Sequence, residues 1–65
     1  MYYLYLKDEK MMTKNLVGEY KEVDDAFDKI DALLEKDENV KYVLEESTGG
    51  FNSYGEMLTM VVTEN

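Results

Sequence analysis

One segment of this chain has the periodicity of an amphipathic helix, and segments with the alternation of β-strands lie on both sides of it. Its apolar residues recur at spacings of three, four and one, and they are Val23, Ala26, Phe27, Ile30, Leu33 and Leu34. This pattern predicts a helix from about residue 23 to 37 with a single apolar face. Aspartates crowd its first turn and Lys36 lies in its last, as the helix dipole favours. Asn39 is the expected left-handed stop.

Four segments with strand-like alternation flank this helix, two before it and two after it. They span residues 2–6, 16–21, 40–46 and 57–63. In the second segment, alternation places Leu16, Gly18 and Tyr20 on one face. A glycine inside a strand indicates a β-bulge or a close approach of another backbone. Residues 47–55 hold three of the four glycines, so we expect a long hairpin loop there.

The order strand, strand, helix, strand, strand predicts one small α+β domain over residues 1–65. A right-handed crossover from the second strand over the first places the third strand beside the first. The predicted fold is therefore ββαββ, a four-stranded antiparallel sheet in the order 2-1-3-4 with one helix packed on one face. The opposite face must then meet solvent, a partner or a second copy of the chain.

The amino-acid composition excludes several kinds of chemistry. The chain has no cysteine and no histidine, so it lacks thiolate metal sites, disulfides and the usual general base. Its acidic pairs do not have the spacing of a calcium loop. We therefore expect no enzymatic activity, no metal and no cofactor. No apolar run reaches the ~20 residues of a membrane span, and no basic segment precedes residues 1–6, so a cytoplasmic (intracellular) protein is expected.

The outer face of the predicted helix carries an acidic stripe. Fifteen Asp and Glu residues against seven Lys residues give a net charge of −8. Five carboxylates at spacings of four, three, four and three form the stripe, namely Asp24, Asp28, Asp31, Glu35 and Glu38. Lys29 and Lys36 project on another flank and do not neutralise it. One interpretation is that the stripe imitates nucleic-acid phosphates in a partner's basic groove. The alternatives are a solvated face of an acidic chain and a weak cation site.

Aromatic residues form a second candidate binding surface. Tyr3 and Tyr5 share one strand face, and Phe51 and Tyr54 lie in the glycine-rich loop. Such side chains often anchor protein partners, although they also fill β positions, and Phe51 could instead fold back over the sheet edge. A sheet that stacks nucleic-acid bases needs cations, and this chain has no arginine, so direct binding of nucleic acid is not expected.

In size, charge and economy the chain resembles the small acidic accessory proteins of bacteriophages and mobile elements. Many of these inhibit host nucleases or DNA-binding proteins, so the resemblance implies an inhibitor or modulator. The leading hypothesis is a non-enzymatic protein that occupies the basic, nucleic-acid-binding surface of a partner protein by mimicking phosphate charge. The alternative is a structural or assembly subunit that forms a homodimer through an open, tyrosine-rich sheet face or a sheet edge.

Overall fold

A computed structural model describes all 65 residues and contains one helix and four strands. They are β1 (Tyr2–Asp8), β2 (Thr13–Tyr20), α1 (Val23–Lys36), β3 (Tyr42–Phe51) and β4 (Met57–Glu64). The strands lie in the order β2-β1-β3-β4, and every neighbouring pair is antiparallel. The predicted ββαββ fold is therefore confirmed. The helix has 14 residues and is neither long nor apolar enough to cross a membrane.

The hydrophobic core lies between α1 and one face of the sheet, which we call the helix side. Leu4 and Leu44 are paired across β1 and β3, and neither has any exposed surface. Ala26 and Ile30, which lie one turn apart on α1, complete this buried cluster. The alternation of β1 places Leu4 on this face, and it turns the odd-numbered tyrosines to the opposite face, which we call the open side.

The helix ends one residue earlier than predicted and by a different device. Asp37 has an extended backbone, with φ of −150° and ψ of 102°, and its N–H donates to the carbonyl of Leu33. The Asp37 Oδ1 atom then accepts the N–H of Asn39 at 3.0 Å. The predicted left-handed stop at Asn39 is wrong, because Met12 is the one non-glycine residue with a positive φ. The side chain of Asp37 turns the chain, so no left-handed residue is needed.

A β-bulge divides β2, as the glycine in this strand predicted. Val17 has no pairing partner in β1, whereas Gly18 and Leu16 on either side of it are paired. Leu16 lies opposite Tyr5 and therefore on the open side, while Val17 packs against the core beside Tyr20. The prediction that Leu16 shares a face with Tyr20 is wrong, because one inserted residue reverses the alternation beyond it.

The last two strands extend beyond the rest of the sheet. Pairing of β1 with β3 ends at Tyr2 and Glu46, and β3 then continues to Phe51 with β4 as its only partner. We call residues 48–58 the hairpin arm. The predicted loop over 47–55 is wrong for its first half, which is strand as far as Phe51, and the turn is confined to 52–56. A bulge at Gly49, where φ is +81°, lets β3 continue through its glycines.

Candidate functional site

The acidic stripe lies on the outer surface of α1. Asp24, Asp28, Asp31 and Glu35 are all exposed, and helical geometry places them on one flank of the helix. Glu38 is also exposed but follows the end of α1, so helical spacing does not continue the stripe to this residue. The four helical carboxylates span about 16 Å of the helix axis. No member of the stripe forms an ion pair.

The lysines of the chain do not neutralise this stripe. The two ion pairs of the protein join Lys7 to Glu64 at 3.4 Å and Lys14 to Glu45, and both lie on the open side of the sheet. Lys29 and Lys36 belong to α1 but project more than about 100° from the stripe. No lysine therefore lies within ion-pair distance of the stripe.

Glu45 is the centre of a polar cluster on the open side. Its residue surface is 7% exposed, although no second layer of backbone covers this side. The Nζ atom of Lys14 pairs with its Oε2 atom, and Thr59 donates its hydroxyl to Oε1 at 2.7 Å. The Lys14 ammonium also lies 4.4 Å from the centroid of the Tyr5 ring, a cation–π contact. One lysine therefore links the buried carboxylate to the aromatic surface.

The surroundings of Glu45 change its protonation. Burial alone raises the pKa of this carboxyl, because a charged group loses hydration. The hydrogen bonds from Lys14 and Thr59 and the charge of Lys14 outweigh burial, and the pKa lies below its ordinary value of 4.5. Glu45 is therefore ionised at neutral pH and fully occupied by its partners. Its hydrogen bonds to Lys14 and Thr59 join β2, β3 and β4 on the open side.

The predicted aromatic anchors fall at different places. Tyr5 is half-buried beneath Lys14, and Tyr54 is 87% exposed at the turn of the hairpin arm. Tyr3 is half-buried with its hydroxyl 3.9 Å from the Sδ atom of Met57. Phe51 pairs with Met57 across the arm and is 68% exposed, so it does not fold back over the sheet. Met57 thus neighbours both residues, since Tyr3 contacts its side chain and Phe51 is its partner in the strand register.

The turn of the hairpin arm is ordered by one side chain. The Oδ1 atom of Asn52 accepts the N–H groups of Tyr54 at 2.9 Å and Glu56 at 3.0 Å. Backbone hydrogen bonds join Asn52 to Glu56 and to Gly55, where φ is +81°. The exposed aromatics are therefore held on a defined hairpin, and the sequence indicated only a glycine-rich loop.

An apolar edge strand is the feature that the analysis of the sequence missed. Five of the eight residues of β4 are exposed apolar side chains, namely Met57, Leu58, Met60, Val61 and Val62. The signal was present, because residues 57–63 contain no charge and are apolar on both alternating faces. A strand with one face in water normally alternates apolar and polar residues. The apolar run predicts a strand, but alternation alone does not show that this strand lies at the edge of the sheet with most of both faces exposed.

The other candidate sites lack a set of side chains that could bind a small molecule or a metal ion together. An open depression of about 700 Å³ beside the β1–β2 turn is lined by Lys7, Asp8, Glu9, Met12, Thr13 and Lys14. Its charges have both signs and it has one apolar residue, so it does not have the lining of a small-molecule pocket. No three acidic side chains come together in a group that could hold a metal ion.

The fold and its surfaces define a small acidic α+β domain with an unpaired acidic face on the helix and an apolar edge on the sheet. No known protein family, curated protein or solved structure matches the chain.

Proposed function

We propose that this chain is a non-enzymatic binding protein that occupies a basic, nucleic-acid-binding surface of a partner protein. The acidic stripe of α1 is the contact surface and takes the place of a row of phosphates. The observation that carries this proposal is the row of four exposed carboxylates on one flank of α1, none of which forms an ion pair.

The charge density of the stripe supports phosphate mimicry. Four carboxylates over about 16 Å correspond to one charge per roughly 5.5 Å of axis, compared with one per 3.4 Å along a strand of B-DNA. A groove built to receive phosphates has closely spaced lysines and arginines, and these are complementary to such a row. Charge complementarity of this kind accelerates encounter, and the rate falls as salt is added.

The stripe also has a cost for the fold. Asp24 with Asp28, Asp28 with Asp31 and Asp31 with Glu35 are like-charge neighbours on one helix face. Each such pair destabilises a helix by about 0.2–0.5 kcal/mol, so the three together cost about 1 kcal/mol. A surface that served solubility alone would intersperse both signs and avoid this cost. The arrangement of the stripe is therefore better explained by binding.

The hairpin arm supplies candidate apolar anchors for the same partner. Charge mainly speeds association, whereas buried aromatic side chains usually hold a complex together. Phe51 and Tyr54 are the most exposed aromatic residues of the chain and lie on the arm. A partner that binds nucleic acid inside the cell implies a cytoplasmic location for this protein.

Capture from host lysate tests the proposal with two variants of equal charge. In the first, Asp28→Lys, Asp31→Lys and Glu35→Lys reverse the stripe. In the second, Glu9→Lys, Glu19→Lys and Glu46→Lys reverse three exposed carboxylates that lie outside both the stripe and the hairpin arm. We expect the native chain and the second variant to capture the same nucleic-acid-binding protein, and we expect the first variant to lose it.

Competition then tests whether the captured protein is held at its nucleic-acid site. Added duplex DNA or RNA should release the partner, and so should an increase of salt from about 0.05 M to about 0.5 M. The proposal would be contradicted if the folded stripe variant still captured the partner protein. It would also be contradicted if nucleic acid did not displace that partner.

A further inference from the structure

The isolated chain is less compact than a protein of its mass should be. Its accessible surface is 4869 Å², whereas a compact monomer of 7.6 kDa exposes about 4,300 Å². Its radius of gyration is 12.4 Å, compared with about 10.7 Å expected for 65 residues. The molecule is a plate of 39 × 29 × 15 Å. About 570 Å² of surface is therefore in excess of that of a compact monomer.

The exposed apolar surface is concentrated at the hairpin arm and β4. Seven of the twelve large apolar residues that are exposed lie between Phe51 and Val62. The helix packs chiefly against β1 and β2 and leaves β4 largely uncovered. A two-stranded hairpin is only marginally stable by itself in water. The arm and the adjoining edge thus lack the packing partner that the rest of the sheet has.

The two edges of the sheet differ in their protection against another strand. The β2 edge carries Lys14 and Glu19 and is distorted by its bulge at Val17. Charged side chains and bulges of this kind prevent pairing with a further strand. The β4 edge has no charged residue from Met57 to Thr63, and its one bulge, at Val62, lies near its end. Only β4 therefore offers an open apolar edge.

We infer that β4 pairs antiparallel with β4 of a second copy of this chain, so that two molecules form one continuous eight-stranded sheet. The uncharged stretch from Met57 to Thr63 lets two copies meet at the middle of β4 without bringing acidic groups together there, although the chain has a net charge of −8. In a two-fold symmetric dimer both copies use the same surface, and antiparallel pairing of one edge strand with its own copy has this symmetry. The excess surface of two copies is roughly 1,100 Å², and strand pairing would bury the part of it that lies along β4.

The open side of the sheet is a poorer contact for a second copy. Val43 and Glu45 on that side are already 5% and 7% exposed beneath their neighbours, and Lys14 covers the ring of Tyr5. Strand pairing across a two-fold axis normal to the sheet leaves this side unchanged. It also places the two helices on the same face of the joined sheet. The inference rests on the shape and the edges of the molecule and does not depend on the function of the acidic stripe.

Sedimentation equilibrium of the purified chain from about 1 to 200 μM tests the pairing. We expect a mass of twice 7.6 kDa over most of this range. Met60→Lys places two ammonium groups in the apolar contact and should weaken association at least 100-fold, by roughly 3 kcal/mol. In the monomer this lysine lies opposite Glu46 on β3, where a cross-strand ion pair favours the fold. Loss of the dimer in this variant would therefore not result from unfolding. Circular dichroism of the variant checks that it is folded.

Leu16→Lys on the other edge is the matched control, because Leu16 is 53% exposed and the change in charge is the same. This variant should keep the dimer. A native chain that stays monomeric at ~200 μM, a Met60→Lys variant that dimerises as well as the native chain, or a Leu16→Lys variant that alone becomes monomeric would each overturn the inference.

Amide hydrogen exchange gives an independent readout. The N–H groups on the free edge of β4 exchange readily in a monomer and are protected when a second strand accepts them. We expect protection of β4 to increase with protein concentration while protection of β2 stays constant. Protection that is independent of concentration in both edges would overturn the inference.

Discussion

The outer face of α1 and the open side of the sheet are both charged surfaces, but they use charge differently. On the open side, Lys14 and Thr59 satisfy Glu45, and the cluster shields a side of the sheet that has no second layer. On α1 the four carboxylates have no partner and repel one another. Charge on the sheet therefore stabilises the fold, whereas charge on the helix is maintained at a cost to it. The difference separates residues that hold the structure from residues that are free to meet another molecule.

The largest expected effect concerns the apolar core beneath the helix. Leu44 has no exposed surface and packs against Leu4 and Ile30, so Leu44→Ala should cost about 2–5 kcal/mol. A domain of this length has a total stability of roughly 3–10 kcal/mol, so the substitution should remove a large part of it. Urea denaturation followed by circular dichroism measures the change. Leu16→Ala on the exposed edge should alter stability by no more than about 0.5 kcal/mol, and an equal loss in both would contradict a core confined to the helix side.

A smaller effect is expected from acid on the open side. The folded protein holds the pKa of Glu45 below 4.5, so its contribution to stability is complete above that pH and is lost as the pH falls through the folded pKa. Glu45→Gln should lower the free energy of unfolding by about 1–2 kcal/mol at pH 7 and should remove this component of the acid dependence. Thermal unfolding from pH 7 to pH 3 compares the two proteins. If the unfolding temperatures of the variant and the native chain fell in parallel with pH, the cluster would not stabilise the fold through its charge.

The smallest expected effect has the opposite sign and lies on the helix. Asp28 has like-charge neighbours at Asp24 and Asp31, so Asp28→Asn should stabilise the protein by about 0.4–1 kcal/mol at low salt. High salt should reduce this gain because it screens the repulsion. Chemical denaturation at two salt concentrations measures both values. Destabilisation by this change would mean that Asp28 serves the fold and would remove the contrast between the two surfaces.

The elements with a strong periodic pattern could be predicted from the sequence. The apolar face from Val23 to Leu34 defined α1, and two strands on each side of it left few ways to build a sheet. The position of β1 between β2 and β3 followed from the preferred hand of the crossover. These features depend on local pattern and on general rules of connection, so a single sequence contains enough information to predict them.

Features that depend on one residue or on tertiary pairing could not be predicted in the same way. The bulge at Val17 shifts the alternation by one residue, and its position is set by the packing of Val17 and Tyr20 on the core. The extension of β3 to Phe51 contradicts the low strand propensity of glycine, because pairing with β4 overrides it. The acidic stripe could be predicted for the residues that lie within the helix. Glu38 does not belong to the stripe because the helix ends before it, at Asp37.

The central position of β1 has a consequence for how this chain folds. The first strand in the sequence pairs on one side with its neighbour β2 and on the other with β3, about 40 residues later. The buried cluster is incomplete until Leu44 is available, so the first hairpin and the helix have no finished core to pack on. We therefore expect no stable intermediate that lacks β3, and folding that is limited by closure of this long loop. During synthesis on the ribosome, the chain should stay unfolded until residues beyond Leu44 have emerged.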